Sequence, residues 1–226
     1  MLSLKLGLSL NNIKTSGSSW SPSDESGLEA WYKFQTGITL NGSNVSAWDD
    51  SSSNSFDMSQ RTASKQPAYN SGNIDFDPTA TQNLRTVSDI TLSGAFTVGI
   101  KLHPNALNLA VIGSNTNPTE FLKIMPSEAL RIATDGSNVD LSLDSGTFVA
   151  ALYMVVTRNA SDLITLYING VAQADTETLS GTSDINSIGI RNIDNNPFDG
   201  TISEVQIYDT ESTALTANVN TYLSNL

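Results

Sequence analysis

The chain has 226 residues, enough for one large β-domain with short appendages. It carries 11 Lys+Arg against 23 Asp+Glu, a formal charge of -12, so phosphate backbones are repelled and nucleic acid is not an expected partner. Without cysteine there are no disulfides, thiolate metal sites or cysteine nucleophiles, and no run of about 18 apolar residues offers a membrane span.

The first element is "MLSLKLGLSL", with Leu2, Leu4, Leu6, Leu8 and Leu10 at every second position. Period two places all five on one face of an extended strand. A signal peptide needs a continuous apolar core, which the interleaved polar residues break, so export by that route is not expected. Burying five leucines yields on the order of 10 kcal/mol, whereas fixing ten backbones costs roughly 1–2 kcal/mol each. The stripe therefore needs a partner edge as well as a cover. Either it is a first strand of the chain's own sheet, or it is an arm added to a neighbouring subunit. The Ser/Gly-rich "TSGSSWSPSDESG" behind it reads as a flexible tether and favours the arm. The expected division is an arm at 1–12, a tether at 13–27 and a sandwich at 28–226.

From there the chain alternates. "LEAWYKF" places Leu28, Ala30, Tyr32 and Phe34 on one face of a strand. "NVSAWDD", "NIDFD" and "NLRTV" follow, then the regular Phe96, Val98, Ile100, Leu102 of "FTVGIKL". Further strands are expected at "NLAVIG", "FLKIM", "LRIA" and "VDLSL", with Asp135-Gly136 turning between the last two. "TFVAALYMVVTR" reads as a central strand buried on both faces. In "DLITLYINGVAQAD" the pair Asn169-Gly170 supplies the two positive-φ residues of a type I′ hairpin. "SIGIR" and "TISEVQIYD" complete the strands. "LTANVNTYLSNL" breaks the pattern: Leu215, Val219, Tyr222, Leu223 and Leu226 form a helical stripe, with Thr216 placed as N-cap. The fold class expected is all-β, a two-sheet antiparallel jelly-roll sandwich with an N-terminal arm and a short C-terminal helix.

The ordered series "GLEAWYKF", "VSAWDDSSSNSFDMSQ", "NIDFD", "FTVGIKL", "YMVVTR", "LYINGV", "IGIR" and "FDGTISEVQIYD…LT…YL" resembles the laminin-G-like branch of the concanavalin A-like lectin/glucanase superfamily over residues 28 to 226. Within that resemblance Trp48 plugs the core at a strand end, while Asp49 and Asp50 hold the Ser-rich loop through side-chain-to-backbone bonds. Gly200 gives the last strand a tight start. The glutamate that often closes a capping box three residues after the helix-capping threonine is here Val219. The combination of such a domain with a leucine-striped segment and a "SWSP" tether resembles virion proteins of tailed phages. That resemblance implies capsid decoration, tail or fibre, made in the host cytoplasm and displayed on the virion surface.

Several chemistries can be weighed residue by residue. Glucanases of the superfamily line up three carboxylates on one strand. Here Glu204 is followed by Gln206 where the middle carboxylate belongs, and Asp209 stands an odd five residues on, so Glu204 reads as a solvated strand residue and no catalytic residue is expected. His103, the only histidine, precedes Pro104 at a strand end and reads as a loop residue; "GSNTNP" lacks the lysine of a phosphate loop. Calcium is the one cofactor left open, with Asp49, Asp50 and Asp199 as weak candidate ligands. Trp20 and Trp31 are the candidates for stacking on sugars, although Trp31 better suits the second face of a buried strand. The Asn-x-Ser triplets at Asn41, Asn44 and Asn159 read as chance in so Asn/Ser-rich a chain. The expected function is a non-enzymatic virion module adhering to host glycans; the alternatives are a free carbohydrate-binding or adhesion module and, behind it, a glycoside hydrolase.

Overall fold

A computed structural model gives the structure of residues 20–114, 120–191 and 196–226. The leucine segment 1–12, the first part of the tether and most of "GSNTNP" lie outside the described residues.

The strands in chain order are β1 (Leu28–Tyr32), β2 (Ile38–Asn41), β3 (Asn44–Trp48), β4 (Met58–Ser59), β5 (Ala68–Asn70), β6 (Asn73–Phe76), β7 (Leu84–Leu92), β8 (Phe96–Pro104) and β9 (Leu109–Gly113), continuing with β10 (Glu120–Ile124), β11 (Ala129–Ala133), β12 (Asn138–Ser142), β13 (Leu152–Arg158), β14 (Leu163–Ile168), β15 (Val171–Thr178), β16 (Ser183–Ile188) and β17 (Gly200–Tyr208). One helix, α1 (Thr213–Ser224), follows. Every pairing is antiparallel. One sheet runs β1-β17-β8-β13-β14-β15. The other runs β12-β11-β10-β9-β16-β7-β4. Pairings of β17 with β6, β6 with β5, and β3 with both β5 and β4 join the two along one side.

The main core lies between the two sheets, and the alternating strands feed it as period two demands. Phe96, Val98, Ile100 and Leu102 of β8 face Ile112, Leu122, Ile132 and Ile185 of the opposite sheet within one cluster. Trp48 is 1% exposed at the end of β3, its indole donating to the Lys33 carbonyl at 3.2 Å. Asn169 and Gly170 have φ of 50° and 81°, the left-handed pair a type I′ turn requires.

A second cluster lies on the outer face of the first sheet, where α1 covers it. Leu215, Val219 and Leu223 pack there with Leu28, Trp31, Val155 and Tyr208. Gly99, in the middle of β8, permits this: a Cβ there would stand 2.5 Å from Val219 Cγ1 and 3.1 Å from Leu223 Cδ1. The helix thus rests directly on backbone.

The structure amends several expectations. A bulge between Leu28 and Ala30 puts Leu28 with Trp31 in the helix-covered cluster while Ala30 and Tyr32 enter the main core, so the four residues of "LEAWYKF" do not share a face. The helix starts three residues before Thr216; Ser212 is its N-cap, its Oγ accepting from the Leu215 N–H at 3.0 Å, and Thr216 is buried inside. The "SIGIR" strand occupies Ser183–Ile188 instead. Residues 20–27, expected to be tether, are folded onto the sandwich. Pro22–Asp24 form a 3₁₀ turn, the Ser21 N–H donates to Asp24, and the Trp20 indole N–H donates to Glu25 at 2.8 Å.

Candidate functional site

Two places carry side chains singled out by sequence, and a third does not. The first is β17. Val205 and Ile207 point into the main core, so Glu204, Gln206 and Tyr208 point outward. Outward is not into water here, because the Trp31 side chain and α1 cover that face: Glu204 is 0% exposed. Its carboxylate accepts from the Trp31 indole N–H, the Phe34 backbone N–H and, at 3.1 Å, the Gln206 amide. Gln206 in turn accepts from the Tyr208 hydroxyl at 2.9 Å. Burial pushes the carboxyl up to about 7 against the pull of those three donors and of Lys33. Burial and the nearby Glu204 likewise raise Tyr222, to about 12. The expectation of a solvated Glu204 is therefore wrong, because alternation tells which face is opposite the core and not whether something else covers it. Asp209 lies exposed beyond the end of the strand.

Trp31 belongs to this buried set. It is 5% exposed, with Tyr222 edge-on at 6.2 Å between centroids and the Lys33 ammonium 4.8 Å from its ring. A sugar has no access to that ring, so its candidacy for stacking is withdrawn in favour of its role beneath the helix. Trp20 is half-buried, edge-on to the other side of Tyr222 at 6.1 Å.

The second place is the loop after β3. Asp50 Oδ1 accepts from the backbone N–H groups of Trp31 and Ser52, both at 2.8 Å; Oδ2 accepts from Ser52 Oγ at 2.6 Å and the Phe56 N–H at 3.0 Å. Its acceptor capacity is spent on holding the loop against β1. Asp49 is exposed, and Asp199 accepts from Asn105 Nδ2 at 3.0 Å. Among the described residues no three His, Cys, Asp or Glu side chains converge to hold a metal ion. His103 is exposed opposite Thr201. Replacing Asp50 by alanine is expected to cost about 2–3 kcal/mol, with calcium and chelator leaving the melting temperature of either protein unchanged; differential scanning calorimetry measures both.

The third place was not singled out by sequence. On the outer face of the first sheet, β13 and β14 present Tyr153 and Tyr167 diagonally to each other beside α1. The hairpin turn folds back on them: Asn169 Oδ1 accepts from the Tyr153 N–H at 3.0 Å, and Gly170 leaves room for the Tyr153 hydroxyl. Opposite stand Thr213, Thr216, Ala217 and Asn220 of α1, enclosing a groove of about 410 Å³. Ligand sites span about 300–1,000 Å³. Thr216 Oγ1 and Asn220 Oδ1, one helical turn apart on this wall, have no hydrogen-bond partner in the protein. Such an atom costs roughly 1–3 kcal/mol. Across Tyr153 a second hollow of about 360 Å³ continues past Asn169 to Lys101, His103 and Asn73. Lys101 also reaches the Leu223 carbonyl at 3.4 Å, a cation at the helix C-terminus. The available signal was the spacing of Thr216 and Asn220, four apart on a helix whose neighbouring stripe is apolar.

The class of protein is thus an antiparallel two-sheet sandwich with a helix docked on one outer sheet face. The chain belongs to the concanavalin A-like lectin/glucanases superfamily: a laminin-G-type family profile matches residues 77–218, more than half of its length. No curated protein matches it by sequence. Among solved structures it is similar to the binding domain of a paraclostridial mosquitocidal protein, at 14% identity and a TM-score of 0.60 over 91% of this chain and 53% of that one. It is also similar to domain 4 of AbnA, a GH43 extracellular arabinanase from Geobacillus stearothermophilus, solved with arabinotriose, at 16% identity and a TM-score of 0.54 over 85% of this chain and 98% of that domain. Trypanosoma rangeli sialidase, solved with sialic acid, matches at 12% identity and a TM-score of 0.59 over 89% of this chain and 33% of that enzyme. The chain thus spans about half the length of the mosquitocidal binding domain and a third of the sialidase. At these identities the likeness is one of fold.

Proposed function

We propose that this chain is a non-enzymatic glycan-binding module, carried on the virion of a tailed phage and joined to it through the leucine-striped segment at 1–10. The observation that carries the binding reading is the groove beside α1, a concave wall of two tyrosines and uncharged polar side chains on a rigid sheet. Supporting it, similar folds include one named as a toxin's binding domain and one solved with an oligosaccharide. The non-enzymatic reading rests on Glu204, whose carboxylate is sealed under Trp31 and α1 with Gln206 where a partner acid would be needed. The virion reading rests on the sequence: an alternating leucine face needs another protein's edge, a virion protein or an identical subunit, and a charge of -12 leaves DNA and anionic lipid as poor alternatives. No described helix is long and apolar enough to cross a membrane.

A glycan array probed with the full chain tests binding; failure across diverse sugars removes the reading. Hydrolysis of a β-glucan, lost in Glu204→Gln, would restore the enzyme. Deleting residues 1–12 is expected to abolish incorporation into particles while leaving a folded, glycan-binding product. Incorporation without the segment would favour a free adhesion module instead.

A further inference from the structure

We infer that the groove between α1 and the β13–β14–β15 hairpin is a site for a neutral oligosaccharide, an assignment that rests on the glycan-binding reading above and narrows it to one place and one chemical class. Four observations converge. No charged side chain lines the groove, although the chain carries 34 charged residues. A carboxylated or sulfated sugar would meet no compensating cation there and would approach a strongly anionic protein, so the groove selects against anionic glycans.

Tyr153 and Tyr167 are half-buried rather than enclosed in the core, and both line the groove. Sugar rings carry an apolar face of C–H groups, and a partly wet aromatic is the complementary surface. Thr216 is 5% exposed, and neither its hydroxyl nor the Asn220 amide oxygen has a partner within the protein. Both atoms lie out of solvent contact behind the wall, whereas the exposed hydroxyls of Thr213, Thr221 and Ser224 line the groove and pair with the hydroxyl groups that a neutral sugar supplies. The second hollow shares Tyr153 and Ser224 with the first but is lined by Lys101 and His103 as well, so the neutral-sugar site is confined to the groove of the tyrosine pair. The walls are two strands and a helix fixed by Leu215, Val219 and Leu223, which preorganises the site.

Titration calorimetry of the full chain with neutral gluco-, galacto-, manno- and arabino-oligosaccharides, against sialyllactose and oligogalacturonate, tests the assignment. At least one neutral series is expected to bind and the anionic sugars not to. Tyr153→Ala and Tyr167→Ala are each expected to weaken that binding about tenfold or more. Ala217→Trp, which fills the groove from an exposed helix position, is expected to abolish it, and Val87→Ala, exposed on β7 of the other sheet, to leave it unchanged. Circular dichroism and melting temperatures verify that the variants fold. A neutral sugar bound equally well by Ala217→Trp and Tyr167→Ala would overturn the site while leaving a glycan-binding module. Binding of the anionic sugars alone would overturn the chemical class, and no binding at all would remove both.

Discussion

Replacing Glu204 by alanine is expected to lower the unfolding free energy by on the order of 4 kcal/mol at pH 5 and by only about 1 kcal/mol at pH 8. The larger figure comes from the three donors that lose their acceptor, the Trp31 indole, the Phe34 N–H and the Gln206 amide. Each is buried or half-buried, and an orphaned donor costs about 1–3 kcal/mol. The difference between the two pH values comes from the wild type. Its carboxyl is held up at about 7 against an ordinary 4.5, so the folded state binds the proton more tightly than the unfolded chain. Stability from that group is fully present below about pH 4.5 and is lost as the pH rises through 7. At roughly 1.4 kcal/mol per pH unit the loss amounts to about 3 kcal/mol. Glu204→Gln removes the titration and serves as the reference. Urea unfolding of wild type and Glu204→Gln at steps between pH 4.5 and 8 is expected to show the wild type losing about 3 kcal/mol relative to the variant. A constant difference would mean that the three donors hold the carboxylate charged throughout.

This buried carboxylate also marks where sequence reading stops. Alternation in "TISEVQIYD" assigns Val205 and Ile207 to the core, and both are there. The opposite face then looks like a solvent face, because one strand cannot reveal that the helix following it at Thr213–Ser224 folds back over it. Three residues did carry the information. Gly99 interrupts the outward face of "FTVGIKL", and a residue without a side chain in mid-strand signals close approach of another backbone. Trp31 and Tyr208 place large aromatic rings on the same outward face, more apolar surface than a wet face needs. The helix stripe at Leu215, Val219 and Leu223 was legible, as was the hairpin at Asn169-Gly170, since both are local patterns of fixed period. The groove was not. Tyr153, Tyr167, Thr216 and Asn220 come from three elements, and their meeting depends on how α1 is docked. What the sequence of the loop did disclose is the role of Asp50, since Asx-type bonds to nearby N–H groups are short-range.

Docking of α1 is therefore the feature on which both the sealed carboxylate and the proposed sugar site depend, and Gly99→Leu is expected to undo it. Even a Cβ at this position stands 2.5 Å from Val219 Cγ1, and Val219 is fully buried with no room to turn aside. Overpacking alone costs about 1–3 kcal/mol. A leucine extends further, into the space held by Val219 and Leu223, so the helix has to lift. Lifting exposes Leu215, Val219 and Leu223, each worth roughly 1.5–3 kcal/mol when covered. The sandwich keeps its main core, because Val98 and Ile100 on either side of Gly99 point the other way. The expected outcome is a folded sandwich with a loosened helix. Hydrogen exchange in the backbone amides of 213–224 should quicken far more than in β8 or β13, near-ultraviolet dichroism from Trp31 should diminish, and affinity for a neutral oligosaccharide should vanish because one wall of the groove has gone. Gly99→Ala should show the same signs at smaller amplitude. Unaltered exchange in the helix of Gly99→Leu would mean that α1 is not held by this contact, and the positioning of Thr216 and Asn220 opposite the tyrosines would need another cause.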